Sequence, residues 1–365
     1  MYYLLFLIIL LVLVFILFLR HSHFGSLPKE ERMKQIKKSR NYRNGNFQNL
    51  QPTPVFTGEK NFFKVFRKMA VIRSKRSRPK GLIPSLKTNI KDLELSENVL
   101  IWFGHSSFFL QFDGKRILID PVFSRHASPV SFFVRAFKGS SPFTCNDLPD
   151  IDYLFITHDH WDHLDYSTVI KLKNRTSKVV CGLGTGAHFE RWGFPKEKII
   201  EGDWYDEIEL EKNFVVHFVP ARHFSGRYFK RNQSLWTAFL LQFPQYKIYI
   251  SGDGGYGHHF EEAGKRFGPI DLALLENGQY NLYWKHIHCL PEEMWQAAED
   301  LTAKYVVASH SSKFCLSLHD WDEPLKKAYE LFNGKKITLL TPIIGECVYL
   351  NHINMTYPEW WQNIN

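Results

Sequence analysis

Cysteine is scarce in this sequence, and no two cysteines have the spacing of a metal knuckle or a redox motif. The five cysteines among 365 residues contain no C-x-x-C pair. This excludes a disulfide framework and a zinc site built from paired thiolates. We interpret them as free thiols, mostly in the core, of a protein in a reducing compartment; they are Cys145, Cys181, Cys289, Cys315 and Cys347.

A dinucleotide-binding glycine motif is also missing. The glycine-rich stretch "CGLGTGAH", residues 181–188, does not have the G-x-G-x-x-G spacing. We interpret it as a turn between a strand and a helix.

Residues 1–19 contain no charge, no proline and no glycine. At about 1.5 Å per residue, a helix of this length nearly matches a hydrocarbon core of about 30 Å. The stretch also lacks the basic leading region and the small-residue cleavage site of a secretory signal peptide. We therefore predict a single-pass transmembrane anchor over residues 1–19, with a signal peptide as the alternative.

Positive charge is concentrated directly after this stretch. Residues 20–80 carry 17 Lys/Arg against three Glu, whereas residues 81–365 carry 29 basic and 34 acidic residues. We predict a basic juxtamembrane neck over residues 20–95 and, by the positive-inside rule, a main domain on the cytoplasmic side of the membrane. The acidic balance of that domain argues against nucleic acid as a partner. Residues 61–76 predict either an amphipathic helix on anionic lipid or a flank packed on the main domain.

The main domain, predicted over residues 96–365, shows regular strand and helix patterns. Strand groups precede helices in each half, which predicts two β-rich halves with helices outside. Side chains able to bind metal follow six predicted strands, at the kind of edge where layered α/β folds build their sites; they are Asp120, His158, His223, Asp253, Glu276 and His310.

The stretch "LFITHDHWDHLDY", residues 154–166, places three histidines and two aspartates within six positions at the end of a buried strand. His158 and His160 are two apart on an extended segment, so their side chains can point the same way. Asp162 and His163 follow on the turn into a helix. Because imidazole and carboxylate suit zinc, iron or manganese, we predict two neighbouring metal ions, one for each pair.

The remaining ligands are expected downstream. His223 in "VPARHFSGR", Asp253 in "YISGDGGYG" and His310 in "VVASHSSKF" each follow a predicted strand. A lone histidine is more often a core or surface group than a ligand. Three candidates in this order, all at strand ends, favour ligands.

This order of ligands, H-x-H-x-D-H followed by His, Asp and His, resembles the metallo-β-lactamase superfamily, and most closely its branch containing N-acylphosphatidylethanolamine-hydrolysing phospholipase D. The resemblance covers residues 96–350 and includes "WFGHSSFFLQFDGKRILIDPVFSRHASP" and "SGDGGYGHHFEEAGKRFGPIDLALLENGQY". It implies an α/β fold, an αββα sandwich with a dinuclear metal site between its sheets, here preceded by the transmembrane helix. It assigns His158, His160 and His223 to the first metal and Asp162, His163 and His310 to the second, with Asp253 bridging.

The resemblance also implies roles for residues around the ligands. Two Zn²⁺ ions are expected, with Fe or Mn as alternatives, and Asp162, Asp253 and His288 are the expected catalytic residues. His288, in "HIHCLPEE", would protonate the leaving group or hold a phosphoryl oxygen. Asp120 and His105 are expected to orient ligand histidines. Glu276 and Asn277, which depart from the family's more apolar pattern, are expected near the substrate mouth.

The implied substrate is a phospholipid, with N-acylphosphatidylethanolamine hydrolysed to N-acylethanolamine and phosphatidic acid at a membrane. A metal-dependent lactonase resembling the sugar-phosphate lactonases, or another small phosphodiesterase, is the alternative. Apolar walls around residues 122–143 would favour lipid, and a cluster of Arg and Lys in the mouth would favour a phosphorylated sugar. A homodimer stays open. A scaffold without activity would be expected to have lost ligands, and all seven are present.

Overall fold

Two seven-stranded sheets form the body of the protein, in a computed structural model that describes residues 2–57, 74–227, 229–353 and 356–364. The helix predicted over residues 61–76 lies outside the described residues, apart from its last three positions.

The first sheet joins an antiparallel meander to a set of parallel strands. Strands β3, β4 and β5 pair antiparallel, with the predicted tight turn at Asp113 and Gly114 between the last two. Strands β5 to β8 pair parallel, in the sheet order β16-β3-β4-β5-β6-β7-β8. The strands are β3 Val99–Trp102, β4 Phe108–Phe112, β5 Lys115–Ile119, β6 Ile151–Ile156, β7 Thr176–Gly182, β8 Ile199–Gly202 and β16 Cys347–Tyr349.

The second sheet repeats this plan in the order β15-β14-β13-β12-β11-β10-β9. Strands β9 to β12 are antiparallel, and β12 to β15 are parallel. The strands are β9 Glu207–Glu211, β10 Phe214–Val219, β11 Ala238–Phe243, β12 Tyr246–Ile250, β13 Ile270–Glu276, β14 Ala303–Ser309 and β15 Thr338–Leu340.

Helices cover the outer faces of both sheets. Val169 and Phe189 join the core of the first sheet, and Ala297 and Ala328 join that of the second. The helices are α3 Tyr166–Leu172 and α4 Gly186–Arg191 on the first sheet, and α5 His259–Phe267, α6 Pro291–Asp300 and α7 Glu323–Phe332 on the second. The predicted αββα sandwich is confirmed, because two sheets face each other and helices flank both.

The N-terminal segment differs from the predicted neck. Helix α1 (Tyr2–Leu19) is long and apolar enough to cross a membrane, and none of its residues is buried. Helix α2 (Glu30–Ile36) and the two-stranded hairpin of β1 (Tyr42–Arg43) and β2 (Asn46–Phe47) instead pack on the sandwich. Ile36 and Phe47 are wholly buried in the main core, and Arg32 pairs with Glu190 and Glu201 at 2.6 Å each. Much of the neck is therefore part of the folded body.

Candidate metal centre

The seven predicted ligands meet at one edge of the sandwich. In the second sheet, β10, β12, β13 and β14 run in the same direction, so their carboxyl ends reach the same edge. The carboxyl ends of β5 and β6, in the first sheet, face them across this edge. His223, Asp253 and His310 follow strands of the second sheet, and the segment 158–163 follows β6 of the first. Six of the seven are buried, and His160 is half-buried.

The first set of ligands consists of His158, His160 and His223. The Nδ1 atom of His160 lies 2.9 Å from Nε2 of His158 and 3.2 Å from Nε2 of His223. The Nδ1 atom of His223 lies 2.8 Å from the carbonyl oxygen of Ile287, so its proton belongs on that side. The three remaining nitrogens therefore turn towards one point, as a metal requires.

The second set consists of Asp162, His163 and His310, which lie within metal-binding distance of one another together with His105. Asp253 stands between the sets. Its Oδ1 lies 3.1 Å from both Nε2 of His163 and Nδ1 of His310. Its Oδ2 lies 3.9 Å from Nε2 of both His158 and His223. One carboxylate oxygen thus faces each set, which is the position of the predicted bridging ligand.

These donor atoms fit metal ions. Ligand atoms about 2.0–2.2 Å from a tetrahedral ion lie roughly 3.3–3.6 Å apart, and the separations within each set lie close to this. The Nε2 atom of His163 and the Oδ1 atom of Asp253 are buried and lie 3.1 Å apart, but they are not aligned for a hydrogen bond, and neither has another hydrogen-bond partner among the described residues. Buried polar atoms without partners are rare unless an ion or water completes them.

The electrostatics of the cluster also favour bound cations. Burial lowers the pKa of His160 to about 4 and holds the pKa values of His158, His223 and His310 well below the usual range. These rings are therefore neutral, the form that binds metal. Burial raises the pKa of Asp253 to about 7, because a buried carboxylate is costly to ionise. Burial alone would lower the pKa of His163, but the neighbouring carboxylates, Asp253 foremost, raise it well above its usual range, so a bound ion would take the place of the proton on its Nε2.

Asp120 and His105 each contact one member of the second set: Asp120 contacts a histidine, whereas His105, also expected to orient a ligand histidine, contacts a carboxylate. Asp120 accepts the backbone N–H of Thr157 at 2.8 Å through Oδ1, and its Oδ2 lies 2.7 Å from Nδ1 of His163. The Nε2 atom of His105 lies 2.9 Å from Oδ2 of Asp162. Asp120 therefore holds the proton of His163 on Nδ1 and leaves Nε2 to face Asp253.

The backbone of the site adopts conformations that are unusual for residues with a side chain. His105, Asp120 and His310 have positive φ values of 56°, 41° and 63°. Each such residue costs on the order of 1 kcal/mol, and such residues cluster at functional sites. Gly252 has a φ of 59°, and a Cβ there would lie 2.8 Å from Cβ of Thr157. A side chain at Gly252 would therefore push Asp253 away from the segment 158–163.

The predicted positions of Glu276 and Asn277 are wrong, whereas His288 lies beside the ligands. Glu276 and Asn277 are only 2% and 1% exposed and do not line the cavity above the metal centre. Glu276 ends β13 and accepts the backbone N–H of Gly254, and its other oxygen hydrogen-bonds Nδ1 of His288. Burial raises the pKa of Glu276 well above the usual value. Glu276 therefore fixes the orientation of the His288 ring from the protein interior.

A cavity of about 270 Å³ opens above the metal centre. Residues 122–143, expected to form its walls, do not line it. Its walls come instead from the N-terminal segment and from three loops that follow strands of the second sheet, and they are mostly apolar. Arg231 is the one basic side chain other than histidine in the described lining, which comprises Val55, Phe56, Phe224, Arg231, Gln279, Trp284, Ile287 and Leu316 beside the ligands and His288.

The N-terminal segment also holds a ligand in place. The side chain of Asn49 donates to the carbonyl oxygen of His223 at 2.8 Å and accepts the N–H of His223 at 3.1 Å. Sequence reasoning missed Asn49, Val55 and Phe56, because no local pattern marks a contact between residues 174 positions apart. Thr157 was also missed, although its position directly before His158 was a usable signal.

Comparisons with known proteins agree with this fold. The family model described as "Beta-lactamase superfamily domain" matches residues 115–311. An uncharacterized protein of Mycobacterium tuberculosis is 37% identical over 328 residues, which cover 89% of this chain and 88% of that protein. The N-acyl-phosphatidylethanolamine-hydrolyzing phospholipase D 1 of Caenorhabditis elegans is 27% identical over 248 residues, covering 64% of this chain and 70% of that protein.

A solved structure gives the same result for the fold. The metallo hydrolase Igni18 from Ignicoccus hospitalis superposes with a TM-score of 0.54 at 22% identity, covering 69% of this chain and 98% of Igni18. A likeness at this identity bears on the fold alone, whereas the family model covers more than half of the present chain. The chain is therefore a member of the metallo-β-lactamase superfamily of metal-dependent hydrolases.

Proposed function

We propose that this protein is a membrane-anchored phosphodiesterase with two zinc ions, with iron or manganese as alternative metals, that hydrolyses a phospholipid. N-acylphosphatidylethanolamine is the proposed substrate, and N-acylethanolamine and phosphatidic acid are the proposed products. The similarity to the nematode phospholipase D supports this choice. The observation that carries it is the apolar cavity directly above the metal centre.

The lining of the cavity favours a lipid over a phosphorylated sugar. Phe56, Phe224 and Trp284 offer aromatic surface next to the ligands, where an acyl chain or glycerol backbone can leave water. A sugar phosphate would call for several basic side chains, and Arg231 is the one arginine or lysine in the described lining. The lactonase alternative therefore has less support than the lipid substrate.

The position of α1 supports access from a bilayer. The ring of Phe15, in α1, lies 6.2 Å from the ring of Phe229, which is 80% exposed. Phe224 and Arg231, in the same loop as Phe229, line the cavity. The loop that lines the cavity therefore contacts the segment proposed to cross the membrane, and a phospholipid could enter from the bilayer without passing through bulk water.

Basic residues after α1 support a cytoplasmic location for the catalytic domain. Arg20, Lys29, Arg32 and Lys34 all follow α1 within a short distance along the chain. A protease added to sealed cells that cleaves a C-terminal tag would contradict this orientation.

The chain's own residues have distinct parts in the proposed reaction. When bound, two metal ions would acidify a shared water and neutralise the phosphoryl oxygens of the substrate. Arg231, whose guanidinium lies 5.0 Å from the ring centre of Phe224, would pair with the anionic phosphodiester as it enters. Burial lowers the pKa of His288 and raises that of Glu276, so the proton between them lies on Glu276 and the neutral ring keeps its own proton on Nε2. Nε2 would give that proton to the leaving oxygen while Glu276 passes its proton to Nδ1.

The test is hydrolysis of N-acylphosphatidylethanolamine by the zinc-loaded, full-length protein in mixed micelles, with phosphatidic acid followed by mass spectrometry. His160→Ala removes a ligand, and His258→Ala, whose side chain is 94% exposed, is the matched control. We expect release by the wild type and the control but not by His160→Ala. Absence of release by a wild type with two bound metals would reject this substrate and favour lactones or smaller phosphodiesters.

A further inference from the structure

A second cavity, of about 660 Å³, is strongly basic. Four of its described lining residues are Arg78, Arg125, Arg135 and Lys138, and no acidic side chain lines it among the described residues. All four are exposed. The chain contains no Asp or Glu from residue 121 to residue 146, although residues 81–365 as a whole carry more acidic than basic residues. The basic charge is therefore local to this surface.

Much of the cavity wall belongs to an ordered loop, residues 124–138, which we name the phenylalanine loop. Backbone hydrogen bonds close it from Ala127 to Val134 and from Ala136 to Arg125, at 3.0 Å each. The side chain of Ser128 donates to the carbonyl oxygen of Val130 at 2.6 Å. At its base, the loop packs on a small apolar cluster that includes Val122 and Phe314. These hydrogen bonds and this packing therefore hold the loop in one defined conformation.

The tip of the phenylalanine loop exposes two aromatic rings. Phe132 and Phe133 are 67% and 58% exposed, and their ring centres lie 4.6 Å apart. The backbone N–H of Phe133 donates to the carbonyl oxygen of Val130, which fixes the turn that carries both rings. Two adjacent aromatic side chains held in water by an ordered turn mark an interaction surface.

This loop begins close to the base of α1. The N–H of Ser124 donates to Oδ2 of Asp165 at 2.9 Å. The next residue, Tyr166, has its ring 4.8 Å from that of His23, which stands four positions after the last residue of α1. The loop is therefore tied to the point where the chain would enter the membrane.

We propose that the phenylalanine loop is a second membrane contact, with Phe132 and Phe133 in the interface of the bilayer and Arg125, Arg135 and Lys138 on anionic lipid headgroups. Aromatic rings prefer the membrane interface, and clustered cations bind the surface of anionic lipids. Exposed aromatic rings beside clustered cations fit a bilayer better than a soluble anion, because a soluble anion would not contact the rings. The inference rests on the proposed anchoring by α1 but not on the proposed reaction.

The contact would hold the catalytic domain in one orientation on the membrane. Helix α1 alone would contact the membrane at one place and leave the tilt of the domain open, whereas the cavity lined by Phe224 and Arg231 must face the lipid to receive it. A second contact, carried by a different part of the sandwich, would fix that tilt.

The test is hydrogen–deuterium exchange of the full-length protein in detergent, in phosphatidylcholine nanodiscs and in nanodiscs that also contain phosphatidylserine. We expect amides of residues 130–135 to exchange at least about tenfold more slowly in the anionic discs than in detergent. Replacing Phe132 and Phe133 by Ser, or Arg125, Arg135 and Lys138 by Gln, should abolish this protection. The control set, exposed Lys91, Lys212 and Lys336 replaced by Gln, should leave it unchanged.

Three results would overturn the inference. One is equal exchange of residues 130–135 in detergent and in both kinds of disc. Another is equal protection by inorganic polyphosphate in detergent, which would show a site for soluble anions. The third is failure of the chain to co-migrate with discs, which would remove the anchoring by α1. Exchange is measured without substrate, so a failure of the proposed hydrolysis leaves these outcomes unaffected.

Discussion

Replacing Asp120 by Asn should weaken metal binding although Asp120 is not a predicted ligand. The backbone N–H of Thr157 donates to Oδ1 of Asp120, so the amide oxygen of Asn would take that position. The amide NH₂ would then face Nδ1 of His163, at the present distance of 2.7 Å. Two N–H groups cannot face each other there, so His163 would move its proton to Nε2. That nitrogen faces Asp253 and is the atom that would bind metal.

The expected loss follows from this change of tautomer. Loss of a residue that orients a ligand typically weakens metal binding by about 10- to 100-fold, which is about 1.4–2.8 kcal/mol. The assay is competition for zinc with a chromophoric chelator. Asp322→Asn is the matched control, because Asp322 is also buried but pairs with Arg76 and Lys326 at 2.6 Å. Equal zinc affinity in the two variants would refute the proposed role of Asp120.

Three further predictions concern other parts of the molecule. Asp253→Asn and His163→Ala should each lower metal content as well as rate, and full occupancy measured by mass spectrometry would contradict their assignment as ligands. Arg231→Gln should raise KM for the phospholipid by about tenfold with little change in kcat, since the substitution removes a charged hydrogen bond to the phosphodiester. An unchanged KM would exclude the contact between Arg231 and the substrate. Arg32→Met should lower the free energy of unfolding by about 3 kcal/mol, because Glu190 and Glu201 would lose their buried cation. This free energy is measured by denaturant unfolding in detergent, and no measurable loss would contradict the prediction.

The fold and the order of the candidate ligands could be predicted because both are recorded locally in the sequence. The segment 158–163 follows one apolar strand, and Asp253 and His310 each follow another. Parallel strands bring such ends to a common edge, so residues far apart in sequence meet without a signal of their own.

The environment of Glu276 could not be predicted in the same way. An acidic residue at a strand end can turn towards solvent or towards the interior, and its sequence position is the same in both cases. The path of the loop after β13 decides the outcome, because it places His288 over the carboxylate. Glu276 therefore lies in the floor of the site, whereas it had been expected at the substrate mouth.

The packing of the N-terminal segment was hidden by its composition. Its many lysines and arginines are typical of a solvated neck, but Arg32 is only 10% exposed in its side chain and lies between two carboxylates. Asn49 and Phe56 reach the site through the same packing. Because such contacts depend on tertiary structure, no periodicity in residues 20–57 predicts them.

The most direct test of the metal centre is the metal-to-protein ratio of the purified full-length chain, measured by inorganic mass spectrometry together with variants that remove one ligand from each set. We expect two ions in the wild type, and about one when either His223 or His310 is replaced by Ala. A wild type that binds a single ion, or two variants that both keep two, would contradict a dinuclear site built from these ligands.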